Sequence, residues 1–436
     1  MKKTSVVLLG IACSLQALAQ NNKVTSAKMH LDDFISHRDT TELSDAKAAI
    51  DEASVNEKTK DEPKMYLYRG EVYLTVFTIR LGNLVSKALP SGTPDKKAIS
   101  KATQDGYTKI DTTTLCIAAN SLMKVMQLAP KDYYADEAKQ TIPTCIAQLD
   151  NKALQEFNNK HYSVALPLYK RLMVMSKIMN IADTATSYKD NVKMAALSAD
   201  RAGNTAEAVS FYQKTIDLKY DGAYPYRLLA ALYMKENDST KAFEYVEKGR
   251  AAYPSDDQLT ILETNYFIGR HQNDKAEGNL KLSINKVEAK PTKDSKDSAQ
   301  LSSLYVNLGQ IYDKRANPVN DAPKPADYDN LFASAESNYL KAIDYAPRNT
   351  EVLFVTGVLY YNRGVNTQKE ADKIPLSQTD KFNKMKDEAK ASFLKAQPFF
   401  ERVYKIKPDN IENVSALKQV YASTDQTDKA DALNKK

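Results

Sequence analysis

Residues 223–256 read AYPYRLLAALYMKENDSTKAFEYVEKGRAAYPSD, and this stretch decides the fold. Tyr226, Leu229, Ala230 and Tyr233 stand at i, i+3, i+4 and i+7, a spacing that puts all four on one face of a helix. After a polar turn, Ala242, Val246 and Gly249 stripe a second helix in the same way. Pro254 closes the unit, because proline has no N–H for a continuing helix and disfavours helical geometry in the residue before it. Large side chains on these stripes alternate with small ones, so the two helices can approach closely and interlock. Working outward, Ala208, Ala242 and Ala276 fall 34 residues apart, and each opens the same second-helix pattern. A period of that length marks an array of helix pairs.

This arrangement resembles the tetratricopeptide repeat. The likeness is sharpest over 189–290 and 302–434, where runs such as Ala335, Tyr339, Ala342 with Pro347 recur in phase. The resemblance implies an all-α, right-handed superhelical solenoid of antiparallel helix pairs, with first helices lining a concave groove. It also implies a binding function without cofactor or catalysis.

The chain divides accordingly. Residues 1–19 read as a signal peptide, with Lys2 and Lys3 ahead of an apolar run and Ala17-Leu18-Ala19 as the cleavage site. Helical repeats fill 20–188, with an insertion near 82–117 that contains Pro90-Ser91-Gly92-Thr93-Pro94. Three regular units occupy 189–290, a charged linker spans 291–301, and further repeats run through 302–436 with insertions near 316–329 and 365–391. All three insertions interrupt the turn between the first and second helix of a unit. They are therefore expected to emerge as loops on one edge, where they could close over the groove.

The leader predicts export, to the periplasm if the source is a Gram-negative bacterium. A rival reading makes Cys13 a lipid-attachment site and the protein an outer-membrane assembly or secretion component. No other run approaches the roughly 18 apolar residues of a membrane span. The formal charge of +6 includes Lys2 and Lys3, too small an excess to point to nucleic acid. His30, His37, His161 and His271 are scattered, no metal spacing or phosphate loop is present, and the chain is expected not to be an enzyme.

The remaining candidates are binding residues. The resemblance places Asp190, Lys193, Leu197 and Arg201 in the groove of one unit, and Tyr224, Arg227, Met234 and Lys235 in the next. A mixed apolar and basic strip suits an extended or helical peptide, so the expected partner is a protein or peptide. Leu197 and Ala231 stand where relatives that clamp a C-terminal carboxylate would need asparagine, so such a clamp is not supported. A surface glycan-binding protein is the alternative. Eleven of the 26 tyrosines occupy repeat positions and are expected in the core. The glycan reading therefore needs exposed aromatics clustered elsewhere. Cys116 and Cys145 lie at matching distances from the turn at 130–131 and are a candidate disulfide pair.

Overall fold

The computed structural model describes residues 23–318 and 324–433, and the expected signal peptide with Cys13 lies outside them. The described residues form α-helices and one short 3-10 turn, with no strand. Two compact units divide the chain at Gly249/Arg250. The first holds α1 (23–37), α2 (Thr40–Ser54), α3 (Pro63–Ala88), α4 (Lys96–Lys109), α5 (Thr113–Leu128) and α6 (Tyr133–Asn158). It continues with α7 (Tyr162–Ile178), α8 (Thr186–Arg201), α9 (Thr205–Asp217), α10 (Tyr224–Lys235) and the larger part of α11 (Ser239–Ala252). The second holds α12 (Asp257–Gly269), α13 (Asn273–Glu288), α14 (Ser295–Ala316), α15 (Tyr328–Tyr345), α16 (Thr350–Ala371), α17 (Thr379–Ile406), α18 (Ile411–Ser423) and α19 (Thr427–Ala432). The division thus falls inside the regular block. The linker near 291–301 is shorter than its sequence suggests, because α14 begins at Ser295 behind a capping box formed by Asp294 and Asp297.

Successive helices pair as hairpins: α3 with α5, α6 with α7, α8 with α9, α12 with α13, α14 with α15, and α16 with α17. In the regular block the hairpin turns contain Gly203, Asn237 and His271, all with φ between 57° and 79°. These left-handed residues recur at the same 34-residue spacing as the alanines. Each follows the last turn of a first helix and reverses the chain, as such residues commonly do at helix C-termini.

Within a hairpin, small first-helix residues receive large second-helix ones. A Cβ on Gly309 would lie 2.7 Å from the Tyr339 ring, and one on Gly357 equally close to the Phe400 ring. The 365–391 insertion continues this packing instead of forming a loop. Gly364 receives Phe393 at 2.7 Å, so the contact has moved seven residues forward along α16 and seven back along α17. Ala371 and Ala389 are buried further out, which extends the hairpin as a packed pair with its turn at 372–378.

The 82–117 insertion is also mostly helical. It lengthens α3 and adds α4, whose Ala102, Gly106 and Tyr107 are buried. Lys152 of α6 fastens it. This lysine is 1% exposed; its Nζ donates to the Tyr107 carbonyl at 2.6 Å and pairs with Glu156 at 2.5 Å. Among the described residues only the insertion near 316–329 is mainly non-helical, and its residues 319–323 lie outside them. The expectation of three loops closing over a groove is therefore corrected: two of the three insertions prolong helical hairpins, because their small and aromatic residues keep the interlocking pattern.

Candidate functional site

The site candidates lie on α8 and α10 of the first unit, both of which pack against α9. Asp190 and Lys193 stand one turn apart on α8, and Tyr224 and Arg227 stand one turn apart on α10. The turn from α9 to α10 ties them together. Lys219, Asp221 and Gly222 all have positive φ there, and the turn folds back over α8. The Tyr220 hydroxyl donates to Asp190 at 2.5 Å, and the Lys189 ammonium lies 5.7 Å from the Tyr220 ring centroid. Lys193 pairs with Asp221 at 3.1 Å and stands 5.9 Å from the Tyr224 ring, over which Arg227 also sits at 5.5 Å. The hydrogen bond to Asp190, aided by burial, pushes the Tyr220 phenol up to about 12. The result is a half-exposed row that alternates carboxylate, cation and aromatic ring.

Not every candidate joins it. Leu197 is 8% exposed and belongs to the core, because α8 is packed by its neighbours on several sides. Arg201 turns toward the α6–α7 junction, with its guanidinium 4.8 Å from the Phe157 ring and 5.5 Å from Tyr162. Met234 and Lys235 are exposed at the end of α10. The sequence reading missed Lys189, Tyr220 and Asp221, since two of these lie in a turn that the repeat pattern treats as spacing. Positive charge beside an aromatic, as in Lys219-Tyr220-Asp221, was the only available signal.

A second cluster stands on the same first-helix series. Lys28 of α1 bonds Asp32 at 2.8 Å and pairs with Glu71 of α3 at 3.5 Å. Lys28 and Lys64 lie 5.8 and 5.7 Å from the Tyr68 ring. Tyr133 and Tyr134 open α6 and meet edge to face, with centroids 5.5 Å apart and planes at 73°. Burial pushes the Glu71 carboxyl up, opposed by Lys28. Lys64 and Glu71 hold the same repeat positions as Tyr224 and Ala231.

Cys116 on α5 and Cys145 on α6 are free thiols, so the candidate disulfide is absent here. Cys145 is completely buried, and desolvation pushes its thiol up to about 12, with a smaller contribution from the charge of Cys116. Among the described residues no group of three or more His, Cys, Asp or Glu could hold a metal ion. No helix there is long and apolar enough to cross a membrane.

The interlocked pairs, the 34-residue turn register and the small-to-large contacts form an all-helical array similar to the tetratricopeptide repeat. No family model matches the chain, and no curated protein matches it. Similar solved structures include a TPR repeats protein from Bacteroides fragilis, 21% identical, covering 64% of this chain and 98% of that one with a TM-score of 0.28. Another is the C-terminal part of a TPR repeat-containing protein from Cytophaga hutchinsonii, 14% identical, covering 64% and 96% at a TM-score of 0.35. A third is YrrB, described as a TPR protein with an unusual peptide-binding site, 11% identical, covering 69% and 100% at 0.25.

Proposed function

We propose that this chain is a non-enzymatic scaffold that holds a segment of a partner polypeptide along the α8–α10 face of its first unit. One observation carries the reading: Asp190, Lys193, Tyr224 and Arg227, from two adjacent first helices, form a continuous row with Tyr220 and Asp221. Such a row offers an extended chain alternating charge and ring contacts, so side chains can be read along its length. Its internal ion pairs are half-exposed and weak, so a ligand can exchange them at little cost. The two helical insertions fill their own hairpins, which leaves the first-helix face as the stronger binding candidate. The N-terminal leader supports export, and the periplasm is the proposed compartment.

Panning a peptide-display library against residues 20–436 tests the binding function. Selected peptides are then measured against Lys193→Ala, Tyr224→Ala and Arg227→Ala. Each substitution should weaken binding about fivefold or more, the scale of a moderately important interface residue. Selected peptides that bind all three variants as tightly as the parent would remove this face from consideration. Intact-mass analysis of exported protein tests the compartment: a mass beginning at Gln20 is expected, and an acylated Cys13 would move the protein to a membrane face.

A further inference from the structure

We infer that a cleft in the second unit, lined by α13, α14 and α15, binds a neutral oligosaccharide through its hydroxyl groups. The inference goes beyond the polypeptide-binding reading and concerns a different ligand and a different part of the chain.

The cleft measures about 560 Å3, a size within the roughly 300–1,000 Å3 of small-molecule sites. Asn285 of α13 and Asn330 and Ser337 of α15 line it, and among the described residues their side chains have no partner within the protein. Asn338 beside them donates to the Ser334 carbonyl and keeps its own side-chain oxygen open. Repeat stacking does not demand this set. Gly309 receives Tyr339 as Gly357 receives Phe400, so the two rings mark equivalent positions of α15 and α17. Counting from them, Asn330, Ser334, Ser337 and Asn338 correspond to Ala391, Lys395, Pro398 and Phe399. Ala391 and Lys395 line the matching cleft of the next repeat, which is thereby stripped of the amides.

The chemistry narrows the ligand. A side-chain amide or a serine hydroxyl donates and accepts at once, which is what each hydroxyl of a sugar requires of its surroundings. Charge is balanced across the site. Lys281 pairs with Glu277 at 2.7 Å, and the remaining ions of the lining are one cation, Lys341, and one carboxylate, Glu288. Glu288 takes the Tyr305 and Tyr345 hydroxyls on Oε1 and leaves Oε2 to accept. A phosphate finds no surplus cation here, whereas a diol can accept from Lys341 and donate to Glu288. A peptide finds little purchase, since Ile284 and Leu308 are each 4% exposed and give a shallow floor. Peptides are anchored by large side chains in well-packed pockets. Tyr305 already stacks on Tyr345, with centroids 6.0 Å apart, and has the Lys341 ammonium 5.2 Å from its own. Hydrogen bonds along the walls therefore hold the sugar, without the exposed aromatics that stacking would need.

Maltohexaose, cellohexaose and chitohexaose are the probes, with a Gly-Ser decapeptide as the other arm, each titrated calorimetrically against the full mature chain. At least one hexasaccharide should bind, and Asn285→Ala and Ser337→Ala should each weaken it about fivefold or more. Lys193→Ala should leave sugar binding unchanged, which separates this cleft from the α8–α10 row. Circular dichroism should show that both cleft variants keep their helicity, since both side chains are exposed. Three results would overturn the proposal: no hexasaccharide binding, binding indifferent to both substitutions, or decapeptide binding that is lost in Asn285→Ala. Display-selected peptides that depend on Lys193 while every hexasaccharide fails would sink this proposal and leave the α8–α10 reading standing.

Discussion

The Tyr312 hydroxyl donates to Glu277 at 2.6 Å, reaching from the first helix of one repeat to the second helix of the repeat before it. The contact recurs. Tyr73 donates to Asp51, Tyr360 to Glu336 and Tyr421 to Glu401, at 2.5 to 2.9 Å, and each runs back to the preceding second helix. Tyr73, Tyr312 and Tyr360 each follow a small-position glycine by three residues. The glycine thus admits the partner helix of its own hairpin, while the tyrosine one turn on fastens that hairpin to its predecessor. Replacing Tyr312 or Tyr360 by phenylalanine keeps the ring and removes the bond. Each should cost about 1 kcal/mol in urea unfolding, with helicity retained. Unchanged midpoints in both variants would show that the bond adds nothing to the stacking of repeats.

Buried tyrosines at the repeat positions set the alkaline limit of the fold. Burial, followed by the neighbouring carboxylates, raises the phenols of Tyr212, Tyr305, Tyr339 and Tyr360 above their ordinary value. The neutral phenol is the form favoured in the folded state, whose pKa exceeds that of the unfolded chain. This contribution is therefore fully present below about pH 10, the unfolded tyrosine value, and is lost as pH rises from there toward the folded pKa. Tyrosinate absorbance should rise in two stages, with exposed phenols first and the buried set only as circular dichroism reports unfolding. A single stage complete before any loss of helicity would contradict the assignment.

Much of the fold was legible because the interlocking pattern is written locally. Gly357, Tyr360, Phe400 and Val403 announce a hairpin by spacing alone. The insertion at 365–391 was harder to read, since Gly364 and Phe393 repeat that contact at a seven-residue shift outside the 34-residue frame. A frame tuned to one period treats such residues as a loop. The site was legible only where it follows the frame, as at Asp190, Lys193, Tyr224 and Arg227. Tyr220 and Asp221 contribute from a turn, and Lys28 of α1 meets Glu71 of α3 across 43 residues of sequence. Those meetings depend on tertiary packing. Leu197 shows the reverse error, because a formal groove position became core once both flanking helices closed on it.

The two thiols should differ in reactivity. The thiolate is the species that alkylates, and burial raises both groups, most strongly Cys145 at about 12. At mildly alkaline pH an alkylating reagent should label Cys116 slowly and Cys145 only once the protein unfolds. Equal labelling rates in the native protein would mean that Cys145 is reached more easily than its burial allows. Failure to label either residue in unreduced, unfolded protein would show them joined as a disulfide.

Lys152 should be worth more than an ordinary surface lysine. Lys152→Met removes one member of a buried ion pair and the donor to the Tyr107 carbonyl, while Glu156 keeps His161 at 2.7 Å. Breaking a buried pair by removing one partner costs about 3–5 kcal/mol, so a loss toward the lower end is expected. Proteolytic cleavage between 89 and 112 should accelerate, because α4 would lose its fastening. Parental stability together with parental cleavage rates would show that the apolar contacts of Gly106 and Tyr107 hold α4 unaided.

Hydrogen exchange in the presence of a display-selected peptide tests the central claim most directly, since it reports where a bound chain protects the backbone. Binding along the first-helix face predicts slowed exchange in 186–197 and 219–231 of the first unit, with the insertion hairpin near 365–391 unaffected. Protection confined to that hairpin or to the second helices, with 186–197 and 219–231 unchanged, would contradict the account.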